Sequence, residues 1–94
     1  IFRLAELELK HVDEKKLEHD AHYLLHILHT YAHKNELPVT ILGPAKPPVS
    51  KIKAVHSRKI YLKSENFVYI ARVCKEIKHK NFSSSIYFTP NPLV

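Results

Sequence analysis

Residues 39–63, VTILGPAKPPVSKIKAVHSRKIYLK, hold two segments of strand character separated by a loop that no regular strand can cross. Val39, Ile41 and Leu42 form a short apolar strand. Gly43 and the prolines Pro44, Pro47 and Pro48 then remove backbone donors and favour a turning or extended path. Alternation returns from Lys51 to Lys63. Ile52, Ala54, Ile60 and Leu62 share one face, while Lys51, Lys53, Lys59, Tyr61 and Lys63 share the other. His56 and Arg58 interrupt the apolar face, so the early part of this strand is expected to project beyond the core. Two strands in the middle of the chain leave helices and outer strands to flank them. On the N-terminal side, Asp13 is placed to cap a helix in which Leu17, Ala21, Leu24, Leu25, Leu28, Tyr31 and Ala32 recur at helical spacing, ended by Asn35 and Pro38. On the C-terminal side, Ser64-Glu65 starts a second helix with an apolar stripe of Phe67, Ile70, Ala71, Cys74 and Ile77, closed by Lys78, His79 and Lys80. The ends supply the outer strands. In IFRLAELELK, residues 1–10, the apolar Ile1, Ala5, Leu7 and Leu9 oppose Glu6, Glu8 and Lys10, and residues 84–89 form the last strand before the proline-broken tail. The order strand, helix, strand, strand, helix, strand predicts an α+β fold: a ferredoxin-like βαββαβ sandwich with a four-stranded antiparallel sheet and both helices on one face, in one domain spanning residues 1–94.

Composition removes whole classes of function. With one glycine in 94 residues, neither a GxxxxGK[ST] phosphate loop nor a GxGxxG dinucleotide turn can be written in this chain. A single cysteine, Cys74, excludes an internal disulfide framework and a multi-cysteine zinc site, in keeping with a reducing compartment. No apolar run approaches the roughly 18 residues needed to span a bilayer, so a soluble, cytoplasmic protein without a membrane partner is expected. The chain lacks methionine and enters a strand almost at once, which predicts a fragment of something longer. The formal charge of +6 is unevenly placed. Residues 37–64 carry Lys46, Lys51, Lys53, Arg58, Lys59 and Lys63 and no acid, while bases and acids balance in the rest of the chain. Positive potential concentrated in this way suits a polyanion. The alternative is that lysines protect an edge strand from aggregation and keep it soluble.

Among residues able to carry chemistry, the most unusual set is His19, His22, His26, His29 and His33, spaced by three and four along the first helix, opposite its leucines. Such a stripe reads first as a solvated polar face. Pairs among His22, His26, His29 and His33 could chelate Zn²⁺, Ni²⁺ or Cu²⁺, and the set could also change charge near histidine's ordinary pKa of about 6.5. Cys74 falls on the apolar stripe of the second helix, as a small core residue would. Glu6 and Glu8 look like solubilising charges, and no catalytic residue is assigned. The basic hairpin fits phosphate contacts better: Lys46, Lys51, Lys53, Arg58, Lys59 and Lys63 are the candidate nucleic-acid ligands, with the Tyr61 ring among them for stacking against a base.

Leu42-Gly43-Pro44, the basic Lys51 and Lys53, the Ile60–Lys63 strand and the terminal Asn91-Pro92 together make a pattern that resembles the C-terminal domain of the bacterial replication-restart helicase PriA, or primosomal protein N-prime. The resemblance spans the chain, with its specific motifs in the second half. It departs from the family at His56-Ser57-Arg58, where an aromatic-Arg-aromatic run is usual, at Phe67 and Tyr69, where basic residues are usual, and at Thr89 and Asn91, where acids are usual. The resemblance implies the last domain of an ATP-dependent 3′ to 5′ DNA helicase that acts in DNA replication at stalled forks. It also implies a fold similar to a small-subunit ribosomal protein. ATP, Mg and Zn would belong to upstream domains, none of them to these residues. Implied partners are single-stranded or branched DNA, single-stranded DNA-binding protein, whose acidic tail would dock here, and other primosome proteins; packing on the helicase lobes is a further implied role.

Overall fold

A computed structural model describes residues 1–49 and 51–92. Strand β1 (Arg3–His11) alternates as expected, burying Ala5, Leu7 and Leu9. Ile1 does not join them. It precedes the strand and is fully exposed, because its pairing partner strand ends at Ser64 opposite Arg3. Helix α1 (Glu14–Lys34) begins where Asp13 was expected to cap it: the Asp13 carboxylate accepts from the backbone N–H groups of Lys15 and Lys16 at 3.0 and 3.2 Å. The helix ends in a Schellman turn. Glu36 takes a positive φ of 53°, and the N–H of Leu37 returns to the Ala32 carbonyl at 2.9 Å, with Leu37 buried beneath the turn.

The middle of the chain forms β2 (Thr40–Ala45), a two-residue β3 (Lys51–Ile52) and β4 (Val55–Ser64). Residues 51–63 are therefore not one strand. Lys53 and Ala54 both have positive φ, 51° and 66°, and fold the chain into a tight hairpin that pairs Ile52 with Val55. Ile52 and Ala54 are exposed rather than core-facing. Helix α2 (Phe67–Glu76) is capped by Asn66, not by Ser64; the Ser64 hydroxyl instead donates to the Pro38 carbonyl at 2.8 Å, tying the end of β4 to the start of β2. A 3-10 turn, Ile77–His79, follows, and β5 (Ser85–Pro90) closes the domain.

All pairings are antiparallel, in the order β2-β4-β1-β5, with β3 added to the start of β4. This is the ferredoxin-like α+β arrangement, enlarged by the β3 strand to five. Both helices lie on one face. Leu17, Leu24 and Leu28 of α1 and Ile70 and Val73 of α2 meet Leu7, Leu9, Ile60 and Leu62 of the two central strands. The stripe expected on α2 is only partly realised: Ile70 is buried, Phe67, Cys74 and Ile77 are partly covered, and Ala71 is exposed, while Val73, outside that stripe, is buried. The physical reason is position, since α2 packs over β4 and β1 and leaves β5 only partly covered. Among the described residues, no helix is long and apolar enough to cross a membrane.

Candidate nucleic-acid interface

The face of the sheet turned away from the helices carries Glu6, Glu8 and Lys10 from β1, Ser57, Lys59, Tyr61 and Lys63 from β4, and Ser85 and Tyr87 from β5, as the register requires. Its charges are mixed. Lys59 Nζ lies 3.2 Å from Glu6 Oε1, a contact that raises the lysine pKa above its ordinary 10.5, and the Ser57 hydroxyl donates to Glu8 Oε2 at 2.6 Å. Lys63 sits over the Phe2 ring at 4.4 Å, and half-buried Tyr61 lies between Leu42 and Glu6 in register. Two of the expected phosphate ligands thus already have partners within the chain.

Arg58 requires a correction. It was placed among the phosphate ligands, yet it is 3% exposed and points to the helix side of β4. Its Nε donates to Glu18 Oε1, its Nη2 to Glu14 Oε2 at 2.9 Å, and its Nη1 to the Ser57 carbonyl at 2.8 Å. The guanidinium ties the first two turns of α1 to β4 and has no free face for DNA. A guanidinium fork bonded to two carboxylates one helical turn apart satisfies the donors that burial would otherwise strand. The sequence signal existed in Glu14 and Glu18, four residues apart on one helix face, but an arginine on an apolar strand face does not say which helix will cover it.

The hydrogen bonds at the start of α1 carry a pH consequence. The Arg58 hydrogen bond, above all other causes, holds the Glu14 carboxyl below its ordinary 4.5, and backbone hydrogen bonding, chiefly from Lys16, lowers Asp13 below 3.8. A carboxyl with a lowered folded pKa adds stability that is complete above its unfolded pKa and disappears as pH falls through the folded value. Stability is therefore expected to fall from about pH 4.5 downward. Urea unfolding followed from pH 6 to pH 2 checks this, and Glu14→Gln should flatten the decline.

The remaining candidate lysines fall in two places. Lys51, in β3, and Lys53, in the turn, are exposed on the hairpin, and Lys46 is exposed in a separate hollow beside Glu14, Lys15, Glu18 and Arg58. Among the described residues none of the three lysines makes an ion pair. Below the hairpin, the open sheet face dips into a hollow of about 570 Å³ whose lining includes Lys10, Lys53, Ile52, Val49 and Tyr87. Tyr87 is 53% exposed and lies under the Lys10 ammonium at 5.5 Å. Neither Lys10 nor Tyr87 was expected here. The alternation of β5 could have revealed Tyr87, since Ile86 and Phe88 face the helices and must turn the tyrosine outward.

The histidines His19, His22, His26, His29 and His33 are all exposed on the outer face of α1, with His22 Nε2 at 3.6 Å from Glu18 Oε2. Among the described residues no three His, Cys, Asp or Glu side chains come together to hold a metal ion. Cys74 is half-buried, and burial pushes its thiol pKa up to about 12, so it stays protonated at neutral pH.

No protein-family model and no curated protein matches the sequence. A solved structure described as a de novo designed protein, Foldit4, superposes over 100% of both chains with a TM-score of 0.62 at 11% identity. At that identity the likeness concerns the fold.

Proposed function

We propose that this chain is a non-catalytic DNA-binding module, the C-terminal domain of an ATP-dependent 3′ to 5′ replication-restart helicase of the cytoplasm. The observation that carries the reading is the basic hairpin, whose exposed Lys51 and Lys53 make no ion pair among the described residues and whose Lys53 lines a hollow that also presents Lys10 and Tyr87; exposed Lys46 adds a second basic point beside Glu14 and Glu18. Lysines of this kind hold phosphates whatever the sequence, and an exposed tyrosine offers a face on which an unpaired base stacks. Arg58 has no part in this set, Lys59 is committed to Glu6, and Tyr61 and Lys63 lie farther along the same sheet face. The resemblance of Leu42-Gly43-Pro44 and the following basic strand to the replication-restart helicases gives the module its context. ATP, Mg and Zn belong to the upstream domains of such a protein, and single-stranded DNA-binding protein and other primosome proteins are its expected partners.

The test is fluorescence anisotropy with a labelled single strand of about 20 nucleotides and a forked duplex at low salt. Saturable binding is expected, and K51E/K53E should weaken it by about tenfold or more. Absence of binding to both DNAs, or unchanged affinity in the double variant, would exclude this reading.

A further inference from the structure

The apolar stripe of α2 extends beyond what the fold covers. Because α2 lies over β4 and β1, a groove of about 750 Å³ remains between it and β5, with Leu7 among its lining residues and Phe67, Phe82, Ile86 and Phe88 along it. Phe88 is 44% exposed although it faces the helix layer, and Phe67 meets it edge-on at 6.4 Å. Lys75, Lys78 and Lys80 also line the groove, all three exposed, and no acidic residue does. Ser84 sits in the same lining. It is 7% exposed, its N–H is taken by Asp20 Oδ2 at 2.7 Å, and its hydroxyl has no hydrogen-bond partner among the described residues. A buried hydroxyl left unpaired is uncommon, because its desolvation is then uncompensated.

The backbone beside this groove is open as well. Strand β5 is an edge of the sheet, paired only with β1 among the described residues. The Asn91 N–H donates to the Leu4 carbonyl at 2.8 Å, which makes that pair a hydrogen-bonded one. Alternation along the antiparallel ladder then makes Thr89 with Glu6, Tyr87 with Glu8 and Ser85 with Lys10 hydrogen-bonded pairs too, and turns the N–H and C=O of Ile86 and Phe88 outward. Among the described residues the same two thus offer unpaired backbone groups to the edge and apolar side chains to the groove.

We infer that the β5 edge and the groove beside it receive an extended segment of a partner protein as an added strand, its alternate apolar side chains filling the groove and its flanking carboxylates meeting Lys75, Lys78 and Lys80. Strand addition supplies affinity through main-chain hydrogen bonds and specificity through pockets for alternate side chains. Charge selects the occupant. A second copy of this chain joined along β5 would bring two lysine rims together with no acid between them, whereas an acidic segment neutralises the rim. This site lies on the helix side of the sheet, apart from the hairpin and the open face, and does not depend on the DNA-binding reading.

The probe is an end-blocked peptide, Asp-Glu-Val-Ser-Phe-Ser-Val-Glu-Asp, added to the 94-residue chain. Its controls are a peptide with lysine at every acidic position and one whose scrambled order breaks the alternation. Saturable binding of the acidic peptide is expected, with amide exchange at Ile86 and Phe88 slowed by about tenfold or more. K75E/K78E/K80E, which changes exposed side chains only, should weaken binding about tenfold or more, and both control peptides should fail to bind. The inference is overturned by no saturable binding of the acidic peptide, by equal binding of either control, by unchanged affinity in the triple variant, or by a dimer that protects Ile86 and Phe88 without peptide. Prior saturation with DNA should leave peptide affinity unchanged, so loss of one activity does not remove the other.

Discussion

Arg58→Ala is expected to lower the stability of the domain by about 2–4 kcal/mol, because it empties a buried site and unties α1 from β4 in one change. Arg58→Met should recover much of that loss. The aliphatic stem is refilled, and the two carboxylates it abandons, with side chains 48% and 41% exposed, return to water. The reverse experiment is harsher than Arg58→Met. Glu14→Gln combined with Glu18→Gln leaves the guanidinium 3% exposed with its ionic partners gone, and a stranded buried charge is costlier than a deleted one. Urea denaturation of the three variants gives the order directly. Were Arg58→Met more damaging than the double glutamine variant, the guanidinium would not be held as described. Arg58→Met, assayed where it is folded, should also keep its DNA affinity, which separates this arginine from the hairpin lysines.

Gly43→Ala should rank beside it, at about 2–3 kcal/mol. Gly43 has φ +112°, a conformation that side-chain-bearing residues rarely adopt. A Cβ built there would stand 2.7 Å from the Lys59 carbonyl oxygen and 3.2 Å from the Ala45 nitrogen, both backbone atoms with no side chain to move aside. The β2–β4 register shifts at this point, between Leu42 and Ala45, and Gly43 lets β2 stay against β4 across the irregularity. The expected result is a lower urea midpoint together with faster amide exchange at the β2 end of the sheet. An alanine variant as stable as the parent would contradict the account of this turn. The change also displaces the segment that leads to Lys46, so DNA affinity should fall modestly with stability.

Much of the fold could be read from periodicity because the physics behind it is local. Ala5, Leu7 and Leu9 alternate, Leu17, Leu24 and Leu28 recur at helical spacing, and Asp13 has the side chain a helix N-terminus requires, so each element announces itself. The hairpin at Lys53-Ala54 did not, since neither residue is a usual occupant of positive φ, and alternation continued through the turn as if the strand were unbroken. The helix start expected at Ser64-Glu65 falls at Asn66 instead, because the Pro38 carbonyl takes the Ser64 hydroxyl. At the candidate site, charge along the chain located the exposed Lys46, Lys51 and Lys53. It could not distinguish them from Arg58 and Lys59, because burial and pairing are settled by Glu14, Glu18 and Glu6, far away in sequence. The groove beside α2 escaped for a related reason: an apolar stripe shows which face of a helix avoids water, not whether a strand lies beneath all of it.

The central claim, that the exposed Lys46, Lys51 and Lys53 hold DNA phosphates, is tested most directly by the salt dependence of single-strand binding. Each phosphate contact contributes about 0.7 to the slope of log affinity against log salt on single strands, so K46Q/K51Q/K53Q should reduce the slope by about 2 relative to the parent. Arg58→Met should leave the slope unchanged. A triple variant with the parent's slope, or an Arg58→Met variant that loses as much as the triple, would contradict the account.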